Sequence, residues 1–558
     1  MAKEINYGVD AKNKMINGIN KVANAVEITI GPKGKCVAIQ GGFNVPDITR
    51  DGATVAKSID LKDPIENMGA QLVKKAAQRT EELAGDGTSS TAILTKELIS
   101  KGQKYSISSD QINLNEVKQG MDTAVKLITD YIKDHSISVD GDLEKIRKVS
   151  TISANNDPEV GDLIVSCMEK VGQDGVITAD VSSGLDTTID VVQGLKIDRG
   201  WASPHFITSP EEGKCIMEDV KVLIVGEKLS NIPQIVNILE EIAKNGSPLL
   251  IICDDIDEIV LTTLVMNVLR GALRCCVVKG IDYGDARKNL MEDISVAVGA
   301  QYICPEYGIN VSDATIDYLG VAKKVVVSKD SCIIYEGQGD EEQIKERLEI
   351  LKKRYEDPNI SDYEKTKFQK RISGLSGGIG IIKAGGASEV EKTNKKATIE
   401  DAILASKSAI SEGVVSGGGS LFYKIYKNKE NFLKLIESQT VDVQLGFKIV
   451  FESLPIIVKT IAKNAGFNGD TIAFRLDEIY NSENTLKEKN NKEEFFGFNA
   501  KNNTFGNLIE MGILDSAKVL RVSLENAVSA ASMCLLTECT ITEELIDNNN
   551  NNCCNCNK

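Results

Sequence analysis

At 558 residues, with 42% hydrophobic and 26% charged side chains, the chain exceeds one compact core and has the composition of a soluble globular protein, so about two to four domains are expected. A formal net charge of −16 argues against nucleic-acid binding, which needs a basic footprint, and suits a protein that repels loosely attached acidic chains. No apolar run of membrane-spanning length stands out, and no membrane insertion is expected.

The start, Met1-Ala2-Lys3-Glu4-Ile5, has neither an apolar signal core nor an Arg-rich, acid-free leader. The expectation is a cytosolic protein, or one whose leader is not part of this sequence. Thirteen cysteines without a regular framework read as free thiols in a reducing compartment.

In chain order, Val9, Ile16, Ile19, Val22, Ala23 and Val26 recur at helical spacing. The run Thr29-Ile30-Gly31-Pro32-Lys33-Gly34 then combines Gly with Pro, which predicts a rigid turn with accessible backbone groups. A second amphipathic helix is predicted from Ile65 to Leu83, stopping at Gly85, and a third from Thr88 through Ile93, Leu94 and Leu98. The middle changes character. Val222–Val225, Leu249–Cys253 and Cys275–Val278 are short continuous apolar runs separated by helical patterns, the mark of buried parallel strands in an α/β unit. Gly194, Gly374, Gly377, Gly378 and Gly380 bracket this region as candidate hinges. Helical character returns from Ile399. The stretch Glu483–Glu494 reads as a solvated insertion, and the Asn548–Asn552 tail with Cys553, Cys554 and Cys556 as disordered.

Four short segments carry chemistry. In Gly85-Asp86-Gly87-Thr88-Ser89-Ser90 a helix ends, two glycines turn, and hydroxyl residues open the next helix. Free backbone N–H groups at that start attract phosphate oxygens. Asp86 repels phosphate but suits Mg²⁺, which prefers carboxylate, water and phosphate oxygens. An ordinary helix corner with an N-cap explains the same segment taken alone. Gly417-Gly418-Gly419 lets backbone approach a ligand closely, and Gly512-Ile513-Leu514-Asp515 supplies another carboxylate. Asp51 and Asp401 could each orient a water near a γ-phosphate, or simply cap a surface turn. Together the segments describe a nucleotide pocket assembled from both ends of the chain.

Competing motifs fail. No G-K-[ST] triplet exists, which removes a P-loop. Gly374-Leu375-Ser376-Gly377-Gly378 matches G-x-S-x-G, but only two histidines, His135 and His205, are present and the segment resembles a junction. Cys553 and Cys556 lack the further ligands of a zinc site.

Ile30–Gly34, Glu66-Asn67-Met68-Gly69-Ala70, Ala84–Thr88, Thr151-Ile152-Ser153-Ala154-Asn155, Asp198-Arg199-Gly200 and Met511–Asp515 together resemble the group I chaperonins, the Hsp60/Cpn60 (GroEL-like) family, from about Glu4 to Thr542. Ala409–Gly419 resembles the family signature, with Ser411 where an acidic or amide residue is usual. The resemblance implies a multidomain α+β and α/β fold. A mostly helical equatorial ATP-binding domain would comprise 1–134 and 412–558, a small intermediate hinge domain 135–192 and 380–411, and an α/β apical domain 193–379. It also implies a seven-membered homo-oligomeric ring, usually double, and a small Cpn10-type co-chaperonin lid.

Carried over by motif, Thr29, Ile30, Gly31 and Pro32 would surround base and phosphates, and Gly87, Thr88, Ser89 and Ser90 would hold phosphates. Asp86 would bind Mg²⁺, Gly418 would sit near the ribose, Asn499 and Ala500 near the adenine, and Asp515 on the ribose hydroxyls. Asp401 would align the attacking water with help from Asp51. Arg50 replaces the usual Lys, beside backbone that would help hold K⁺. Unfolded clients and the lid would bind Val236, Leu239, Leu261, Val265 and Met266, with Trp201, His205 and Phe206 nearby; His205 stands where Tyr is usual. Leu261 and Val265 share a helical face at i,i+4 spacing, and Met266 adds a pliable edge. The implied activity is ATP hydrolysis coupled to client folding in a ring chamber. A scaffold protein that keeps the fold but folds nothing is the alternative, and a small-molecule kinase lacks an acceptor site. In a eukaryote the resemblance implies a mitochondrion or its reduced relative; in a bacterium, the cytoplasm. The family's Gly-Gly-Met tail is replaced by the Asn/Cys tail.

Overall fold

The computed structural model describes residues 3–40, 46–106, 112–139, 141–172, 176–182, 184–210, 212–281, 284–355, 368, 371–372, 374–375, 378–481 and 495–543. The insertion Glu483–Glu494, the Asn/Cys tail and Gly377 lie outside the described residues. By contacts the chain forms two compact units, one of residues 1–165, 183–185 and 384–558, the other of 166–182 and 186–383.

The first unit starts with β1 (Lys3–Tyr7), α1 (Gly8–Glu27), β2 (Val37–Gln40), β3 (Pro46–Thr49), α2 (Gly52–Lys57), α3 (Pro64–Ala84), α4 (Thr88–Ser106), α5 (Leu114–Asp134) and α6 (Leu143–Ser153), after which α7 (Pro158–Val171) leads on. The predicted helices fall where periodicity put them. α3 shows why its bounds were readable. Asp63 accepts from the amides of Ile65 and Glu66 at 2.8 and 3.1 Å, Pro64 occupies the first turn, and Gly85 ends the helix in the left-handed region.

The second unit contains β4 (Val176–Val181), β5 (Thr188–Ile197), β6 (Cys215–Leu229), α8 (Val236–Asn245), β7 (Leu249–Ile256), α9 (Glu258–Leu269), β8 (Cys275–Lys279), α10 (Gly284–Val298), β9 (Gly320–Val327), β10 (Cys332–Gly337), α11 (Glu341–Tyr355) and β11 (Gly378–Ala384). Its sheet runs β4-β11-β5-β10-β9-β6-β7-β8. The three apolar runs are β6, β7 and β8, paired in parallel as expected. β6–β9, β9–β10, β10–β5 and β5–β11 are antiparallel, so the sheet is mixed. Gly194, Gly378 and Gly380 lie in the paired strands β5 and β11; a Cβ on Gly194 would meet Ile379 at 2.1 Å.

The chain then returns to the first unit with α12 (Glu389–Glu412), β12 (Val414–Ser416), α13 (Ser420–Lys427), α14 (Lys429–Leu435), α15 (Val441–Ser453), α16 (Ile456–Asn464), α17 (Gly469–Asn481), β13 (Phe496–Asn499), β14 (Thr504–Asn507), β15 (Leu514–Ser516), α18 (Ala517–Leu536) and β16 (Cys539–Glu543). The two chain ends pair directly, with Lys3 opposite Glu543 and Tyr7 opposite Cys539. Ile19, Val22, Leu94, Leu98, Ile128, Phe447 and Leu524 build one core from both ends of the chain. α1 and α3 cross in close contact at glycine, since a Cβ on Gly18 would stand 1.8 Å from the Glu66 carbonyl oxygen.

One correction concerns hydropathy. Among the described residues, α18 is long and apolar enough to cross a membrane by length and composition. Its apolar window is 67% buried within the protein, however, and Leu520, Leu524, Ala527 and Val528 enter the core. The described cysteines are free thiols, most of them buried.

Candidate functional site

Loops at the ends of α1 and α3, the β3–α2 corner, the β12–β15 pair and one face of α12 surround a cavity of about 490 Å³ in the first unit. Its first wall follows α1. The Thr29 hydroxyl donates to the Val26 carbonyl at 2.9 Å, and the Asn464 side-chain amide donates to the carbonyls of Glu27 and Ile30 at 2.7 and 2.9 Å. These bonds hold Thr29, Ile30, Gly31 and Pro32 against the cavity. The Arg50 guanidinium donates to the Gly31 carbonyl, while its Nε is buried with no hydrogen-bond partner. Arg50 itself lines the cavity, and a guanidinium beside a cavity offers donors suited to an anion. Asp51 caps α2, accepting from the amides of Ala53 and Thr54 at 3.0 and 2.8 Å, and also lines the cavity. The cap and site readings of this residue are therefore compatible.

The floor is Gly85-Asp86-Gly87 and the start of α4. Gly87 has no side chain with which to cap α4, and Thr88, Ser89 and Ser90 of its first turn line the cavity. Asp86 Oδ1 accepts from the Gly87 amide at 2.5 Å, and Oδ2 from the Ser153 hydroxyl at 2.8 Å. Gly85 has φ +76°, and a Cβ there would lie 2.1 Å from Leu404 Cβ on α12. Gly85→Ala is therefore expected to destabilise the fold by roughly 2–5 kcal/mol, summing backbone strain and overpacking. Thermal unfolding checks this; an unchanged melting temperature would show that α12 does not press on this turn.

On the opposite wall, Val415 pairs with Asp515 across β12 and β15, which sets Asp515 beside the glycine triplet. Asp515 Oδ2 accepts from the Gly418 amide at 2.9 Å. Asn499 and Ala500, both buried, close this side, with Asn499 Oδ1 accepting from the Lys501 amide at 3.0 Å. Asp401 enters from α12. The cavity also takes in residues that sequence reasoning assigned no role: Thr151, Ser153, Asn155 and Asn156 at the α6–α7 corner, Thr398 on α12, and Ile457 and Ile461 on α16. The Thr151–Asn155 run was a visible signal; Ile457 and Ile461 look like any core helix positions.

The electrostatics are those of crowded carboxylates. Burial, then repulsion from Asp51 and Asp86, holds the Asp401 carboxyl well above its ordinary range. Burial also raises Asp86, against the hydrogen bonds from Ser153 and Gly87. Burial, then Asp86, raises Asp515 to about 6. A divalent cation would relieve this repulsion. Among the described residues no group of three or more His, Cys, Asp or Glu is placed to hold a metal by itself.

Asp515 yields a pH prediction. Its folded pKa of about 6 exceeds the ordinary 3.8, so the fold binds this proton more tightly than the unfolded chain does. The contribution favours folding most below 3.8 and is lost as pH rises through about 6. Asp515→Asn should thus stabilise the ligand-free protein at pH 8 by up to ~2 kcal/mol, with the gain shrinking towards pH 5. Melting temperatures across that range test it, and a pH-independent difference would refute it.

In the second unit, the expected apical residues divide. Trp201 is half-buried with its indole Nε1 unpartnered, His205 is exposed, and Val236 and Leu261 are partly buried. Phe206 is 1% exposed, and Leu239 and Val265 8% each. These three belong to the core, which corrects their expected place on the open surface. The i,i+4 argument identified a shared face correctly, but Leu261 and Val265 turn that face towards the core. Met266 is exposed at 43%, in company with Ile259 at 79% and Leu269 at 62%. Sequence reasoning missed the latter two because α9 is apolar on nearly every side.

A fold of this kind, with a helical unit built from both chain ends around such a cavity and a sheet unit carrying an exposed apolar helix, is that of a chaperonin. The model of the TCP-1/cpn60 chaperonin family matches residues 22–544, and the chain belongs to that family. The crystal structure of the chaperonin gp146 from the bacteriophage EL 2 (Pseudomonas aeruginosa), in the presence of ATP-BeFx, superposes with a TM-score of 0.70 at 19% identity, covering 97% of this chain and 99% of that one. At that identity the likeness is one of fold. Family membership brings with it a chaperone function, client proteins and assembly into oligomeric rings, and the members of the family are ATPases.

Proposed function

We propose that this chain is a chaperonin of the group I type, an ATP hydrolase that binds unfolded proteins on an apolar apical surface and releases them into a ring chamber. The observation that carries the reading is the convergence of Asp51, Asp86 and Asp401 on the cavity that is also lined by the start of α4 and by Arg50. Acidic groups at one place and anion-binding groups beside them suit a metal–triphosphate rather than either ion alone.

In this reading Thr88, Ser89 and Ser90, with the first-turn amides of α4 and the Arg50 guanidinium, hold the phosphates. Asp86 holds Mg²⁺, which when bound neutralises phosphate charge. Backbone oxygen beside Arg50 helps hold K⁺. Thr29 to Pro32 border base and phosphates, Asn499 and Ala500 flank the adenine, and Gly418 and Asp515 meet the ribose. Asp401 aligns the attacking water and Asp51 assists it, since phosphoryl transfer depends mainly on positioning and charge neutralisation. The 135–192 and 380–411 segments act as the intermediate domain, and a seven-membered ring closes under a Cpn10-type lid. Exposed Met266, Ile259, Leu269 and His205, with the partly buried Trp201, Val236 and Leu261 beside them, support the client surface, because unfolded chains present mixed apolar side chains.

Steady-state ATP hydrolysis with Mg²⁺, with and without K⁺, and refolding of an aggregation-prone client with and without lid protein, test the proposal together. ATP turnover with lid-dependent refolding is the expected result. Hydrolysis without refolding, or no affinity for adenine nucleotides, would overturn it. Electron microscopy of purified particles counts the subunits and rings.

A further inference from the structure

We infer that Ser153 is a positioning residue for the cation-binding carboxylate and ties that carboxylate to the helix pair α6–α12. The inference rests on the nucleotide reading above and assigns a role to a residue outside the expected site. Asp86 is held from two sides: its own following amide donates to Oδ1 and the Ser153 hydroxyl donates to Oδ2 at 2.8 Å. A carboxylate offers about four lone-pair directions, so both oxygens keep one free to face a cation in a fixed orientation. Hydrogen bonds to metal-ligating carboxylates generally matter about 10–100-fold in metal affinity.

Ser153 is also not an isolated hydroxyl. It is the last residue of α6, and one turn earlier Ser150 meets Ser406 of α12 at 2.7 Å in a buried contact. Asp401 rides on the same α12. Asn155 and Asn156, both in the left-handed region at φ 57° and 65°, reverse the chain directly afterwards and line the same cavity. The α6 terminus is thereby fixed at the cavity edge, and the carboxylate that would receive Mg²⁺ is bonded to the element pair that carries the proposed water-aligning group. Loss of the hydroxyl frees Asp86 to rotate and removes that link.

The test measures ADP binding to the full-length protein by titration calorimetry, in EDTA and across a Mg²⁺ series. Ser153→Ala is expected to raise the Mg²⁺ concentration at the binding midpoint by about tenfold, leaving the EDTA affinity unchanged. Ser153→Thr, which keeps the hydroxyl, should restore the midpoint. An unchanged midpoint in Ser153→Ala, or an equal loss with and without Mg²⁺, would overturn the inference while the nucleotide reading stands. Failure of the unsubstituted protein to bind ADP at all would instead overturn that reading and the inference with it.

Discussion

Asp401→Ala is expected to slow ATP turnover by at least ~100-fold, the scale of losing a positioned catalytic group, while nucleotide affinity stays within a few-fold of the parent. Asp401 lies on α12 and lines the cavity, on a different element from Asn499, Ala500 and the glycine triplet. Its removal therefore spares the groups assigned to base and ribose. The helix that carries it is anchored at its far end. Arg521 donates to both oxygens of Glu412, at 2.5 and 3.0 Å, and to Glu525 at 3.1 Å, and the Ser408 hydroxyl donates to the Ala84 carbonyl at 2.7 Å. These contacts do not pass through Asp401, so the substitution should leave α12 in place. Burial beside Asp51 and Asp86 makes the Asp401 carboxyl a stronger proton acceptor than an exposed one, which suits a group that orients water. Asp401→Asn keeps the shape but not the charge and should lose as much. Turnover near that of the parent in either variant would reject the assignment.

The second large effect belongs to α9. A combined Ile259→Ser, Met266→Ser and Leu269→Ser variant is expected to weaken capture of an unfolded client on the order of 100-fold while ATP hydrolysis persists. Each of these side chains, buried against a partner, contributes about 1.5 kcal/mol or more, and part of that is realised on a partly wet surface. All three are exposed in the chain itself, so truncation costs the fold little. Leu239→Ser, Phe206→Ser or Val265→Ser would reduce capture too, but through the core, and the melting temperature would fall with it. Suppression of client aggregation, read beside thermal unfolding, separates the two cases. Client capture unchanged in the triple variant would move the binding surface elsewhere.

Legibility tracked how local the physics was. Thr88, Ser89 and Ser90 were readable because a turn of two glycines before hydroxyl residues encodes a helix start within a few positions. Asp51 was ambiguous in sequence and remains both a cap and a lining group in the structure. β6, β7 and β8 announced themselves because strands buried on both faces are continuously apolar. β5, β9, β10 and β11 did not, since antiparallel strands with one wetter face carry Lys, Gly and Glu between their apolar positions. α18 passes the length and composition test for a membrane span because a core helix and a membrane span bury the same kinds of side chain.

From its residues alone the chain declared the bounds of α3 and the start of α4, the short acidic and glycine-rich turns, the contrast between a helical pair of ends and an α/β middle, and the family resemblance that joined them. Only the folded arrangement decided that Ser153 donates to Asp86, that Arg50 lines the cavity with its Nε buried and unpartnered, and that Ile259 and Leu269, rather than Val265 and Phe206, meet the solvent. Caps and turns are settled by neighbours a few positions away, whereas exposure and hydrogen-bond partners depend on which distant elements pack against a residue.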